Sequence, residues 1–259
     1  MPKAILRDWE SFARRLKRRG GVLLGLDFDG TLSPIVWHPA LARLGARTRE
    51  ILRQFANHPK CPTAVISGRG LSDLRKRVGL RGLVYAGNHG IEIEGPNFAY
   101  LHPKAAAAAR KIKVMEHGMS SQVRAFRGAN LENKGFSLSL HYRNARPKDV
   151  PELERIVRQA VAGPKREWEV LRGKKVIEVR PRLGWEKGDA LRLLIKRKRR
   201  KFPIFIGDDT VDEHAFLAAQ SYGGVGIRVG RADRSEATHY IDRQSKVPEF
   251  LNRLLTLLS

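Results

Sequence analysis

A single cysteine, Cys61, in 259 residues excludes an internal disulfide. Its place beside an expected core strand reads as that of a small buried hydrophobe. No stretch approaches the ~20 consecutive apolar residues that a membrane-spanning helix needs. The charged opening Met-Pro-Lys-Ala-Ile-Leu-Arg-Asp-Trp-Glu lacks the uninterrupted apolar segment of a secretory signal. The eight histidines include no pair at metal-ligand spacing, which argues against a zinc site. Internal repeats and low-complexity linkers are absent as well. The expectation is a cytoplasmic protein with no transmembrane segment, and with 42% apolar residues it can bury a sizeable core.

Acidic residues are scarce: 26 Asp and Glu stand against 50 Lys and Arg, a formal net charge of +24. Such a surface attracts polyanions, acidic partners and phosphorylated metabolites alike. The densest runs are Arg14-Arg15-Leu16-Lys17-Arg18-Arg19 and Lys196-Arg197-Lys198-Arg199-Arg200-Lys201. The segment His102–Pro181 holds 18 basic and 8 acidic residues, so the excess is spread along the chain rather than gathered in one module. No RNP-like aromatic pattern, zinc finger or heptad zipper is present to place the cations on bases. The second run falls near the end of an expected helix from Glu186, where cations suit the helix dipole. A solvated basic surface is therefore favoured over a nucleic-acid site.

What is present is a series of short apolar runs spaced for repeated strand–helix units. Strands are expected at Val22–Leu26, Thr63–Ile66, Gly82–Ala86, Pro203–Ile206, Val225–Val229 and Thr238–Ile241. Helices are expected at Thr48–Asn57, at Leu71–Val78 and from Glu186. The alternation at Ile91–Glu94 suggests a half-exposed hairpin strand. Past Gly95-Pro96-Asn97 the character changes. Helices at Pro103–Gly118 and Pro147–Ala162 there bracket strands at Gln122–Arg127 and Gly135–Tyr142. Glu167–Leu171 and Lys175–Val179 read as a hairpin across Arg172-Gly173-Lys174. The expected fold is α/β, a doubly wound parallel sheet in two parts, 1–101 and 182–259, interrupted by an α+β insert, 102–181.

The run Val22–Leu26 ends in Asp27-Phe28-Asp29-Gly30-Thr31. In open α/β sheets the site lies outside the carboxyl ends of the strands, and residues i and i+2 share a side, so both carboxylates converge on one point. Two acids pressed together repel unless a cation joins them or one keeps its proton. Three further pieces sit at expected strand ends or a helix start: Ser67-Gly68-Arg69, Lys187 in Gly184-Trp185-Glu186-Lys187-Gly188, and Gly207-Asp208-Asp209. Together they supply what phosphoryl transfer from a monoester requires: a carboxylate to attack phosphorus, hard oxygen ligands for magnesium, and a hydroxyl and an ammonium to hold the remaining oxygens.

Taken in order, the four pieces resemble the motifs of the haloacid-dehalogenase-like phosphohydrolase superfamily. That resemblance implies Asp27 as nucleophile, forming an aspartyl-phosphate, and Asp29 as general acid and then base. It implies Mg2+ held by the Asp27 carboxylate, the Asp29 carbonyl and Asp208, with Asp209 and Asp212 in support. Ser67 and Lys187 would grip the phosphoryl group. Further segments are similar to those of trehalose-6-phosphate phosphatases: Leu32-Ser33-Pro34-Ile35, Gly87-Asn88-His89-Gly90, Glu132-Asn133-Lys134, His141-Tyr142-Arg143, Glu178-Val179-Arg180-Pro181 and Gly207-Asp208-Asp209 through Ala215-Phe216. The similarity runs from about Val22 to Ile241 and implies a Rossmann-like core with an inserted cap of the C2 type. By it, Glu132, Lys134 and Glu178 would bind hydroxyls of the sugar distal to the phosphate. Phe28, Arg69, Asn88, His89 and Arg143 would complete the substrate pocket beside Asp27 and Asp29. Cap closure would exclude bulk water from the attack. The expected partner is a small sugar phosphate and the expected state a monomer.

Each assignment has a structural alternative. On pattern alone Glu132 and Lys134 read rather as an exposed edge pair, and Glu178 equally as part of a solvated strand face. His89 and Asn88 suit a tight turn, and Asp212 and Glu213 suit a helix start. His214 reads as structural. The family usually has Thr where this chain has Val211, which removes a potential cap but no metal ligand. Rival readings are a relative acting on sucrose phosphate, glucosylglycerol phosphate or mannosyl-phosphoglycerate, a phosphomutase, or a basic nucleic-acid- or membrane-associated protein on an inactive phosphatase fold.

Overall fold

The computed structural model describes residues 2–163, 167–173, 175–198 and 200–259; Lys174 and Arg199, parts of the expected hairpin turn and the second basic run, lie outside them. The chain divides into two compact units, Met1–Tyr100 with Trp185–Ser259, and Leu101–Gly184. The divisions fall one residue before and three residues after the bounds 102 and 181 drawn from the sequence.

The first unit runs β1 (Lys3–Ala4), α1 (Trp9–Lys17), β2 (Val22–Leu26), α2 (Ala46–Phe55), β3 (Thr63–Ile66), α3 (Leu71–Val78), β4 (Val84–Gly87), β5 (Glu92–Gly95) and β6 (Phe98–Leu101), whose last residue opens the second unit. The second continues with α4 (Ala105–Arg124), β7 (Asn130–Asn133), β8 (Leu138–His141), α5 (Val150–Ala160), β9 (Trp168–Gly173) and β10 (Val176–Pro181). The chain then returns to the first unit through α6 (Lys187–Arg197), β11 (Phe202–Gly207), α7 (Glu213–Ser221), β12 (Val225–Val229), β13 (His239–Ile241) and α8 (Val247–Leu258).

In the larger sheet the strand order is β1-β13-β12-β11-β2-β3-β4-β5-β6. Pairing is parallel from β1 through β4, and β5 turns back antiparallel on β4. The central strands β2, β3, β4 and β11 are nearly continuous apolar runs, as helices covering both faces require. Val22, Leu24, Leu26, Val65, Ile204, Ile206 and Ile227 face one core with Phe12 and Leu16 of α1, Leu52 and Phe55 of α2 and Phe250 and Leu254 of α8. The alternate residues Leu23, Ala64, Ile66 and Phe205 face Leu191 and Leu194 of α6 and Phe216 and Ala219 of α7. From β2 the chain winds outward through β3 and β4, and from β11 the other way through β12 and β13. The reversal lies between the adjacent strands β2 and β11, the point where such sheets place their ligands.

The second unit has a four-stranded antiparallel sheet, β7-β8-β10-β9. Leu138, Leu140, Ile177 and Val179 pack on α4 and α5 through Ile112, Met119, Leu153 and Val157. The strand expected at Gln122–Arg127 does not form. Met115, Met119 and Val123 continue the buried helical face at four-residue spacing, so α4 runs on through Gly118 to Arg124. A strand that the sequence reading passed over, β7, follows at Asn130–Asn133. The expected helix Pro147–Ala162 begins as a 3-10 turn over Pro147–Asp149 before α5.

Cys61 is fully buried, and burial pushes its thiol up to about 12. Only roughly one thiol in 10^4 would then be ionised at pH 8, and the thiolate is the reactive form. The native protein is expected to resist iodoacetamide at that pH and to titrate one thiol only in denaturant. Stoichiometric alkylation of the native protein within minutes would contradict this burial.

Candidate active site

Asp27 follows β2 directly, and its amide donates to the carbonyl of Ile206 at 2.9 Å, which extends the β2–β11 ladder and sets it beside Gly207-Asp208. At Gly207 a Cβ would fall 2.3 Å from the Asp212 carboxyl carbon, so glycine there makes the room that Asp212 occupies. Gly30 has φ +82°, and a Cβ would lie 2.0 Å from Asp208 Oδ2. The Gly of Asp-x-Asp-Gly therefore serves two ends, the left-handed turn and the approach of Asp208.

Lys187 is the first residue of α6, held there by a capping box in which Glu186 and Asp189 accept each other's backbone amides. Its ammonium, 2% exposed, donates to Asp27 Oδ1 at 2.6 Å and to Asp212 Oδ1 at 2.7 Å. Asp212 Oδ2 accepts the amides of Asp208 and Asp209, both at 3.0 Å. Asp212 thus spends both oxygens on positioning: one holds Lys187, the other holds the loop that carries Asp208. Burial pushes the Asp27 carboxyl well above its ordinary range, against the pull of Lys187 and with help from Asp212 and Asp208. Asp208 is pushed up to about 7 by burial and by Asp212. Burial alone would lower Lys187, but the two carboxylates outweigh it and raise its pKa.

Asp29 points elsewhere. Its carboxylate is gripped by the Arg69 fork, Nε to Oδ2 at 2.6 Å and Nη2 to Oδ1 at 2.7 Å. Arg69 also donates to Asp73 Oδ2 and to the carbonyl of Pro39, and lies over the Phe28 ring at 5.4 Å. Ser67, 1% exposed at the end of β3, accepts the Arg69 amide at its hydroxyl. Asn88 and His89 occupy left-handed backbone, φ 48° and 59°, in a 3-10 turn after β4. The Asn88 amide and side chain bond the Arg69 carbonyl and Glu92, while the His89 ring packs on Gly68.

In the second unit, Glu132 of β7 stands opposite Ser139 of β8, which stands opposite Glu178 of β10. Directly opposed residues share a face, so the three form one polar rung turned away from the Leu138/Ile177 core. Lys134 donates to Glu178 at 3.3 Å, both side chains about 15% exposed, and His141 pairs with Glu132 at 2.8 Å. This is a half-buried charged cluster, not the exposed edge pair of the alternative reading. Arg180, 5% exposed, is tied to Glu169 on the neighbouring strand. Arg143 lies just beyond β8.

The trehalose-phosphatase family matches residues 25–248. The chain belongs to that family. A probable trehalose-phosphate phosphatase of Oryza sativa subsp. japonica is 36% identical over 96% of the chain and 73% of its own length. The trehalose-phosphate phosphatase of Mycobacterium marinum is 39% identical over 90% of the chain, which spans 61% of that relative. The C-terminal domain of a trehalose-6-phosphate phosphatase from C. albicans shares the fold, with a TM-score of 0.82 at 24% identity, covering 99% of this chain and 98% of that one.

In this member of the trehalose-phosphatase family, one carboxylate atom each from Asp27, Asp208 and Asp212 lies within 4.8 Å of the others. Asp208 Oδ1 is buried and has no hydrogen-bond partner among the described residues. A donor set of carboxylate oxygens alone suits a hard divalent cation. Asp212 already accepts three hydrogen bonds and Asp27 one, from Lys187, so Asp27 and Asp208 are the carboxylates better placed to hold it. The bridge between Asp29 and Ser33 uses the Phe28 carbonyl and the Gly30 amide, so the Asp29 carbonyl is not spent there.

Several residues stand apart from their expected places. The Phe28 side chain is fully buried in the core, which leaves only its main chain for a ligand. Arg69 is committed to Asp29, Asp73 and Pro39 rather than to an open pocket. Asp209 turns to the Thr210 amide and, with Asp212, caps the 3-10 turn Thr210–Asp212, so no hydroxyl at Val211 is needed. His214 lies on α7 with its carbonyl against Gly188. Glu92, which receives Asn88 and the Leu71 amide, was hidden inside an alternation that reads as exposed. Glu213 holds Arg228 and the Ser235–Glu236 turn.

Proposed function

We propose that the chain is a magnesium-dependent phosphatase that hydrolyses trehalose 6-phosphate to trehalose and inorganic phosphate. The observation that carries this is the buried Asp27–Lys187–Asp212 arrangement, with Asp208 beside it, at the carboxyl ends of the two strands where the winding reverses. Family membership supports the substrate.

In this reading an oxygen of Asp27 attacks phosphorus, and the bond from phosphorus to the sugar oxygen breaks. Asp27 Oδ1 accepts from Lys187, which leaves Oδ2 for the attack. Asp29 gives the leaving oxygen its proton, for which the Arg69 fork must let go. Water then cleaves the aspartyl-phosphate, its proton returns to Asp29, and phosphate leaves. Lys187 and Ser67 hold phosphoryl oxygens through this exchange. Asp27, Asp208 and the Asp29 carbonyl would hold magnesium, which supplies charge to offset the phosphoryl group and polarises it. Glu132, Lys134 and Glu178 recognise sugar hydroxyls, where a substrate that lacks a hydroxyl forgoes a charged hydrogen bond.

Phosphate release from a panel of trehalose, sucrose, glucosylglycerol and mannosylglycerate phosphates tests this. Trehalose 6-phosphate is expected to lead by roughly tenfold or more in kcat/KM, with turnover lost in chelator and restored by magnesium. Equal rates across the panel would reject the substrate, and turnover indifferent to chelator would reject the metal.

Glu132→Ala and Lys134→Ala each remove a charged hydrogen bond of about 1.5–3 kcal/mol, so kcat/KM for trehalose 6-phosphate is expected to fall roughly 10- to 150-fold. Hydrolysis of p-nitrophenyl phosphate should stay near normal. Equal loss on both substrates would show that the cluster serves folding and not sugar recognition.

A further inference from the structure

The two basic runs converge. Lys201 donates to the Gly20 carbonyl at 2.7 Å, and the guanidinium groups of Arg15 and Arg19 lie over the Phe202 ring at 5.3 and 5.7 Å. Arg14, Arg15, Arg18 and Arg19 line a depression of about 490 Å3. Arg19, Lys196, Arg200 and Lys201 line a second, of about 310 Å3, floored by Phe202 and bordered by Tyr222. Arg19 lines both, so the two depressions adjoin, and together they are called the trough.

Its lining includes no carboxylate among the described residues, and none of its seven cations is in an ion pair with one. Elsewhere the surface cations Arg53, Arg75, Arg155, Arg231 and Arg253 do have acidic partners. A concentration of unneutralised charge in a concave surface stabilises a polyanion and little else. The trough lies at the start of β2 and β11, where Val22 pairs with Phe202, whereas Asp27 and Asp208 follow the ends of those strands. Five residues of strand separate the two places by about 17 Å. The trough is therefore a surface of its own, apart from the catalytic residues.

We propose that this trough binds single-stranded nucleic acid. Seven cations exceed the charge of a sugar monophosphate or a nucleoside triphosphate and match a chain of phosphates. The Tyr222 ring, 43% exposed at the rim, offers a face on which an unstacked base can lie. A duplex keeps its bases stacked and cannot deliver one into a hollow of this size. A bilayer surface is flat and would meet the rim alone, and inorganic polyphosphate has no ring for Tyr222.

The test uses the full chain with fluorescein-labelled 15-mers of rU and dT, read by anisotropy from 50 to 300 mM KCl. Unlabelled duplex DNA, inorganic polyphosphate and phosphatidylserine vesicles serve as competitors. With seven phosphate contacts the slope of log K against log salt should be about −5, and R14A/R18A/K196A should make it shallower by about 2. Tyr222→Ala should weaken the oligonucleotide about tenfold while leaving polyphosphate competition unchanged. Sugar-phosphate hydrolysis should be the same in all variants, which reports that they are folded. Binding to both 15-mers or to either one supports the proposal, and the preference identifies the sugar. No binding at 50 mM KCl, a Tyr222→Ala variant that binds as well as the parent, a slope untouched by the triple variant, or stronger competition by duplex, polyphosphate or vesicles would overturn it.

Discussion

Asp27→Asn is expected to fold, to bind trehalose 6-phosphate and to turn it over more slowly by on the order of 10^4-fold or more. Loss of a nucleophile removes the covalent route entirely, and in other enzymes costs of that order or larger are seen. The fold should tolerate the change for a reason visible in the site. Asp27, Asp208 and Asp212 crowd three carboxylates around one ammonium, and burial already disfavours charge on Asp27. A neutral amide of the same shape relieves that repulsion while Lys187 keeps Asp212 at 2.7 Å. The thermal midpoint should therefore hold or rise. Phosphate release by a coupled assay, with binding followed by calorimetry, separates the two effects. Turnover within tenfold of the parent would end the covalent mechanism, and a collapse in stability would show that Asp27 serves chiefly to neutralise Lys187.

The central strands of the first unit were legible because burial on both faces makes them almost wholly apolar, with Thr63 in β3 and Arg228 in β12 as the exceptions. Val22–Leu26, Thr63–Ile66 and Val225–Val229 have the same bounds in the sequence reading and in the structure. Each is followed by a residue that breaks the apolar run, Asp27, Ser67 or Gly230. In the second unit the same reasoning failed at Gln122–Arg127, because a short apolar pattern near the end of a helix satisfies either period.

Within the site, residue types at strand ends announced the participants, but not which of them touch. Asp212 read as a helix start, and it caps its turn as expected. The two backbone amides it accepts, three and four residues back, are local. That it also holds Lys187, 25 residues away, depends on α6 packing against α7. The Arg69–Asp29 fork spans 40 residues and needs β3 beside β2. Long-range pairs of this kind leave no local periodicity, so only the folded sheet reveals them. The polar rung of Glu132, Ser139 and Glu178 is similar: each residue alone fits a solvated strand, and register alone aligns them.

Lys187→Met should be the most destabilising single change in the site. It keeps most of the side-chain volume and removes the one cation that, among the described residues, joins Asp27 and Asp212, leaving three carboxylates in a buried site. At an effective dielectric near 20, each opposite charge at about 4 Å contributes roughly 4 kcal/mol before desolvation. Removing one partner of a buried pair costs about 3–5 kcal/mol, because the remaining charge is uncompensated. For a domain of this size that is a fall in thermal midpoint of roughly 10 °C. The pH dependence has a definite sign. Asp208 is already raised to about 7, and Asp27, raised by burial and held down in part by Lys187, would rise further without the ammonium. A carboxyl whose folded pKa lies above its unfolded value near 3.9 holds its proton more tightly in the fold, so its stabilising contribution is lost as pH climbs from there through the folded value. In chelator, the gap between Lys187→Met and the parent should therefore be small at pH 5 and wide at pH 8. The double variant Lys187→Met/Asp212→Asn should recover part of the loss at pH 8, because one of the stranded charges is gone. A single variant that melts within about 2 °C of the parent at pH 8, or a gap that narrows with rising pH, would show that the ammonium does not hold this cluster together.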